Sequence, residues 1–163
     1  MEMPNTPTGA RAFPELSTMR VIWGALLVSL GMYFFVAVKK QPTPFVFDLS
    51  AANPQNMVEM IISGMAVVMV ALAFVLPNLF LNRAKKSVNS QTDVRQMAKY
   101  YFVPFIVRLA LLESCTLYGF AMSFMRRDAM IMLPFVLISV VGYLMSFPTE
   151  AGIRASLRGP ERI

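Results

Sequence analysis

The feature that most constrains this chain is a set of long runs without a charged side chain. Three runs, Val21 to Val38, Met60 to Asn82 and Ala129 to Thr149, contain no Asp, Glu, Lys or Arg. Each approaches or exceeds the roughly 20 residues that a helix needs to cross about 30 Å of hydrocarbon. A fourth segment, Tyr100 to Met125, has the same apolar character but contains two charged residues. We therefore predict four transmembrane helices.

Helices are favoured over strands because an open sheet edge cannot face lipid, and these runs lack the polar alternation of a barrel. The 163 residues are 56% hydrophobic with a mean hydropathy of +0.57, which is too apolar for an ordinary soluble domain. The N-terminal segment lacks the basic region and small-residue cleavage site of a signal peptide, so we expect the first helix to be retained. The predicted fold is all-α: a four-helix transmembrane bundle forming a single integral membrane domain, residues 1–163.

The distribution of basic residues predicts the orientation of the bundle. The chain has 15 Lys and Arg residues and a net charge of +6, with no nucleic-acid-binding motif. Four of these residues would lie beyond the first and third spans, whereas ten would lie on the opposite side. The positive-inside rule then predicts that both termini are cytoplasmic, in what we expect to be a bacterial inner membrane. The ten are Arg11, Arg20, Arg83, Lys85, Lys86, Arg95, Lys99, Arg154, Arg158 and Arg162.

Two apolar helices share a pattern that suggests an internal duplication. "ALLVSLGMYFF", residues 25–35, aligns without gaps on "ALLESCTLYGF", residues 110–120, with six identical positions. The identical positions include a serine and a tyrosine in addition to leucines. The second and fourth runs each hold a proline followed six residues later by Arg-Ala. We therefore predict a tandem repeat of one helical hairpin, with repeat 1 at about 18–86 and repeat 2 at about 95–158, which would be parallel repeats.

The one charged position in this pattern is Glu113, whose counterpart in the first copy is Val28. At 1.5 Å per residue, Glu113 lies about 20 Å along a helix that starts near Tyr100, which is close to the middle of the bilayer. A charged carboxylate there costs at least roughly 2.5 kcal/mol, so it should be protonated, paired or ion-bound. Thr116 shares its helical face, and Ser114 with Tyr118 forms an adjacent polar pair.

Arg108 and Arg20 are the basic candidates for pairing with Glu113. Five residues along a helix rotate Arg108 by about 140° from Glu113, so a direct pair within the helix is disfavoured. Arg108 is instead expected to snorkel, to contact lipid phosphate or to pair across helices. Small residues suggest close helix approach at two tracks, one of Ala110, Ser114 and Ala121, the other of Gly24, Ser29 and Gly31.

The residue inventory argues against enzymatic chemistry. The sequence has no histidine and a single cysteine, Cys115. Histidine-dependent triads, histidine-ligated metals and the usual proton shuttle near neutral pH are therefore excluded. We expect no catalytic activity, no cofactor and no metal site.

The segment "ALLESCTLYGF" resembles the carboxylate helix of the proteolipid c subunits of rotary F-type and V-type ATPases. In the sodium-binding members a Ser follows the Glu and a Tyr lies five residues beyond it, which corresponds to Glu113, Ser114 and Tyr118. The resemblance implies an ion-binding carboxylate in a membrane assembly. It covers about a dozen residues, and the second helix holds only Gly64 where c subunits have a glycine repeat.

Two functional hypotheses follow. In the first, an intramembrane site of Glu113, Ser114, Thr116 and Tyr118 binds or relays a proton or a sodium ion, within a larger membrane assembly or a homo-oligomer. In the second, the protein is a structural or accessory subunit, and Glu113 holds a partner through Arg108, Arg20 or a residue of that partner. The 14 methionines and 13 phenylalanines suit adaptable apolar packing in either case.

Overall fold

The computed structural model describes residues 14–41, 56–85 and 94–158, and within those ranges the chain is helical without any strand. The all-α prediction is therefore confirmed. Three helices are long and apolar enough to cross a membrane, and a bent pair of shorter helices provides a fourth if it is counted as one span. The helices are α1 (Pro14–Lys40), α2 (Met57–Lys85), α3 (Val94–Arg126), α4 (Leu133–Met145) and α5 (Glu150–Arg158), with a 3₁₀ helix at Ala129–Met132.

The fourth apolar run differs from the prediction. The run from Ala129 to Thr149 is not one continuous helix: it begins as a 3₁₀ turn, continues as α4, and ends at Met145. The chain then bends by 84° into α5. Pro148 cannot donate a backbone hydrogen bond, which favours the break. Four 3₁₀ residues and thirteen α-helical residues still extend about 28 Å, close to the thickness of the hydrocarbon core.

Side chains of α1 bind the backbone at the α4–α5 corner. Trp23 Nε1 donates to the Tyr143 carbonyl at 2.8 Å, and Arg20 Nε donates to the Pro148 carbonyl at a longer 3.5 Å. The Trp23 ring packs edge-on against Phe147, with 5.0 Å between centroids. The Tyr143 carbonyl also accepts from the backbone N–H of Ser146 at 3.0 Å, so Trp23 adds a second donor at the end of α4. Arg20 therefore belongs to this corner.

α3 is the central helix, and α1, α2 and α4 all pack against it. The contact with α4 is close because two glycines lie in it. A β-carbon at Gly119 would lie 2.6 Å from Phe135 Cβ, and one at Gly142 would lie 2.7 Å from Leu112 Cδ2. Ser139 Oγ adds a buried hydrogen bond to the Leu112 carbonyl at 2.8 Å. Glycine is thus required here for packing distance.

The predicted small-residue tracks do not form these contacts. Among the described residues, no heavy atom outside the adjacent backbone of α1 lies within 4 Å of a β-carbon built at Gly24 or Gly31, and Ala110 and Ala121 are exposed. The prediction was wrong about which small residues allow close approach, because composition does not show which face of a helix meets its neighbour.

A buried ion pair joins the start of α2 to the end of α3. Glu59, only 2% exposed, lies 3.8 Å from the Arg126 guanidinium. Asn56 caps α2 reciprocally: its side chain accepts from the Glu59 N–H and donates to Glu59 Oε1, both at 3.0 Å. Sequence analysis did not single out Glu59, since an acid just before an apolar run is ordinary at a helix start.

Alanine substitution at two glycines should change the free energy of unfolding in different directions. We expect Gly119→Ala to lower the free energy of unfolding by about 1–3 kcal/mol, because its β-carbon would push α4 away from α3. Gly31→Ala, with open space around it, should be neutral or stabilising by up to about 1 kcal/mol, since alanine favours helix. Thermal unfolding in detergent micelles, followed by circular dichroism, measures both. Equal stabilisation by both substitutions would show that α4 does not pack at this distance.

Candidate functional site

The candidate site lies where the middle of α3 meets α1. Glu113 Oε1 accepts hydrogen bonds from Ser29 Oγ at 2.9 Å and from Tyr33 OH at 3.3 Å. Ser29 and Tyr33 are four residues apart on α1, so helical geometry places both hydroxyl groups on one face. Glu113, which lies in the apolar part of α3, is thus bound by two hydroxyl groups of α1.

The number of available protons constrains the state of the carboxyl group. Ser29 Oγ lies 2.7 Å from the Leu26 carbonyl oxygen as well as 2.9 Å from Glu113 Oε1. A serine hydroxyl has one proton and cannot donate fully to both. If Glu113 carries a proton on Oε1, it donates to Ser29 Oγ and the serine proton goes to Leu26. The geometry therefore accommodates a neutral carboxylic acid, which is also the less costly form within a bilayer.

Apolar side chains lie next to the site. Leu109 and Leu112, which precede Glu113 on α3, are buried in the larger apolar cluster. Tyr33 packs against Phe120 at 5.8 Å, next to a smaller cluster that includes Met132. Glu113 itself remains partly exposed, as do Ser29 and Tyr33.

The structure brings different hydroxyl groups to Glu113 than the sequence predicted. Ser114 Oγ donates to the carbonyl of Ala110 in its own helix at 2.9 Å. Thr116 is fully buried, and its Oγ1 has no hydrogen-bond partner within the described ranges. No hydrogen bond in those ranges joins Tyr118 to Glu113. The i, i+3 and i, i+4 rules place groups on one face of a helix but do not say what lies opposite that face.

The partners found are the first-copy equivalents of the predicted ones. In the alignment of residues 25–35 with 110–120, Ser29 corresponds to Ser114 and Tyr33 to Tyr118. The identical serine and tyrosine positions in the alignment were therefore the sequence signal that pointed to the hydrogen-bond partners of Glu113.

The two arginine candidates lie away from Glu113. Arg108 Nε donates to the Ala73 carbonyl on α2 at 3.3 Å, and its guanidinium lies over the Phe74 ring at 5.9 Å. Arg20 is at the α4–α5 corner. Within residues 14–41, 56–85 and 94–158, neither forms an ion pair with Glu113.

The donor set is poor for a metal ion. Among the described residues, no group of three His, Cys, Asp or Glu side chains lies together. Around Glu113 the available oxygens are two hydroxyls and the Leu26 carbonyl, which α1 already uses in its own helix. The arrangement can bind a proton through the hydrogen bonds that Glu113, Ser29 and Tyr33 already form.

Comparison with protein-family models, with curated proteins and with solved structures gave no match. The resemblance to proteolipid c subunits therefore rests on the residues of α3 alone. The roles that it implied for Ser114 and Tyr118 do not correspond to the hydrogen bonds of Glu113, which come from α1.

Paired serine substitutions test the site. Ser29→Ala should lower the free energy of unfolding by about 1–3 kcal/mol, because it leaves a polar group of Glu113 without its partner. Ser114→Ala removes a hydroxyl that bonds only within its own helix, so the change should stay within about 0.5 kcal/mol. Unfolding in mixed micelles, titrated with a denaturing detergent, gives both values.

The double-mutant cycle with Glu113→Ala provides the control. If Ser29 acts through Glu113, Ser29→Ala should cost little once Glu113 is replaced by alanine. An unchanged cost in that background would contradict the hydrogen bond as the source of the effect.

Proposed function

We propose that this is a four-span integral membrane protein whose Glu113 site binds and releases a proton, as one part of a larger membrane assembly. The observation that carries the proposal is the chain of hydrogen bonds from Glu113 through Ser29 to the Leu26 carbonyl. That chain stabilises a protonated carboxyl group without requiring a counter-ion. Release of the proton would leave Glu113 accepting from Ser29 and Tyr33, so both states have hydrogen-bond partners.

A proton is favoured over sodium by the continuity of the helices. Membrane proteins that bind Na⁺ commonly use backbone carbonyl groups from unwound helix segments. Here α1 and α3 remain helical through Ser29, Tyr33 and Glu113. Few carbonyl oxygens are therefore free to replace the hydration shell of a sodium ion, whereas one proton needs only one acceptor.

The proposed orientation places both termini and α5 on the cytoplasmic side. The ten-to-four distribution of Lys and Arg supports it. In this orientation α5 lies at the cytoplasmic end of the bundle; it is amphipathic, with Ile153 and Leu157 buried against the bundle and Arg154 exposed. Such a helix suits the membrane interface. The fourth span is then the segment from Ala129 to Met145.

The internal duplication is part of the proposal, in a form where the copies have diverged. The matching Ser and Tyr positions on α1 and α3 support it. Pro77, however, lies within a continuous α2, whereas its counterpart Pro148 lies in the bend before α5. Val28, the counterpart of Glu113, is exposed on the outside of the bundle. In our proposal the hydroxyls of the first copy, Ser29 and Tyr33, bind Glu113 of the second.

Infrared spectroscopy of the protein in liposomes tests the proton site directly. A protonated carboxylic acid in an apolar site has a distinct C=O stretching band. We expect this band to disappear in Glu113→Gln and to remain in Glu150→Gln, whose side chain is on α5 with Arg154 as its partner.

The result would be different if Glu113 were purely structural. A band that is absent from the parent, or one that persists unchanged in Glu113→Gln, would overturn the proton-handling proposal. It would favour the alternative, in which the protein is a structural or accessory subunit without an ion-handling role.

Fold retention in the glutamine variant is a second expected outcome. A glutamine side chain can donate from its amide N–H to Ser29 Oγ, as the protonated acid does. Glu113→Gln should therefore unfold within about 1 kcal/mol of the parent, whereas Glu113→Ala should lose about 1–3 kcal/mol. The same detergent unfolding titration measures this, and a large loss in Glu113→Gln would indicate an ionised Glu113 held by charge.

A further inference from the structure

An apolar groove runs along the bundle between α2 and α4. Both helices pack against α3 but hardly against each other, which leaves the space between them open. Its larger part has a volume of about 570 Å³ and is lined by side chains of Val67, Val70, Phe135 and Ile138, with Cys115 of α3 at its base. A second part of about 330 Å³ shares Ile138 and extends to Phe74 and Met145. The surface of the groove is almost entirely hydrocarbon.

A cation lies at one end of this groove. The guanidinium of Arg108 lies over the ring of Phe74, which lines the second part. Arg108 and Cys115 are seven residues apart on α3, so they share a helical face. Within the described ranges no carboxylate lies at ion-pair distance from Arg108, and its only hydrogen bond there runs from Nε to Ala73. The two terminal nitrogens of the guanidinium are available to an anion.

We infer that the groove binds one acyl chain of an anionic phospholipid whose phosphate group is held by Arg108. From Ser63 to Phe74 the groove follows α2 for eleven residues, or about 17 Å, a length comparable with that of an extended acyl chain. The groove is complementary to both parts of a phospholipid. Hydrocarbon side chains line it, and the guanidinium of Arg108, a bidentate donor, lies at its end toward α5. Glu113 is rotated by about 140° from Arg108 on α3, so this site is independent of the proposed proton site.

Lipid retention after detergent extraction tests the inference. The protein is reconstituted in nanodiscs with equal amounts of phosphatidylglycerol and phosphatidylcholine, extracted with mild detergent, and analysed by native mass spectrometry. The parent should retain one phosphatidylglycerol in preference to phosphatidylcholine. Arg108→Gln should reduce that preference about fivefold, as expected for loss of one basic residue near an anionic headgroup. Arg95→Gln, which removes an exposed arginine paired with Glu15, should leave it unchanged.

A second pair of variants tests the groove itself. Ala71→Phe fills the groove with a ring and should abolish lipid retention while Arg108 remains. Ala25→Phe, on the exposed face of α1, should retain the lipid. Circular dichroism and size-exclusion chromatography establish that each variant is folded before it is scored.

Three outcomes on lipid retention would overturn the inference. These are equal retention of both lipids by the parent, an unchanged preference in Arg108→Gln, and full retention in a folded Ala71→Phe. A co-purifying protein that occupies the groove in place of lipid would also overturn it. Because none of these variants alters Glu113, Ser29 or Tyr33, failure here leaves the infrared result on Glu113 unaffected.

Discussion

Every backbone polar group within hydrocarbon needs a hydrogen-bond partner from the protein, and this requirement governs the rest of the structure. It explains why the apolar runs are helices. Where the chain bends by 84° after Met145, Ser146 donates to the Tyr143 carbonyl from within the bend, Trp23 adds a second donor to that carbonyl, and Arg20 donates to the Pro148 carbonyl. Side chains of a distant helix thus add hydrogen bonds at the bend before α5.

The same requirement separates the faces of α3. Toward α1 it carries a carboxyl group held by two hydroxyls, and toward α4 it carries Gly119, which allows close contact. Its third face lies at the base of the apolar groove, with Arg108 near the groove end. One helix therefore combines a polar site, a tight packing seam and an open apolar surface without mixing their chemistry. Rotation by 100° per residue keeps them apart.

The sequence predicted the helices well because the length and absence of charge of a membrane span are local properties. α1, α2 and α3 each contain the run predicted for them. The break after Met145 was missed, because Ala129 to Thr149 is uniformly apolar and the donors that permit the break lie on α1. A hydropathy average over neighbouring residues contains no information about the hydrogen bond to Tyr143 from Trp23, which is 120 residues away.

The site was predicted in part. The position of Glu113 in the middle of a span identified it as a polar group in need of partners. Those partners could not be assigned by spacing, since Ser114 and Tyr118 are close in sequence while Ser29 and Tyr33 are close in space. Only the alignment of the two copies linked the pairs. The ion pair of Glu59 with Arg126 was likewise not predicted, because it joins the ends of two helices that are far apart in the sequence.

The hydrogen bond between Trp23 and the backbone of α4 has a consequence for biosynthesis. α1 is the first of these helices to leave the ribosome, yet its partners at Tyr143 and Pro148 are made last. Ser29 and Tyr33 can meet Glu113 as soon as α3 is made, whereas Trp23 and Arg20 have no partner until the α4–α5 corner follows. The contacts of α1 are therefore completed in two stages, and a chain interrupted before α4 would lack the second of them.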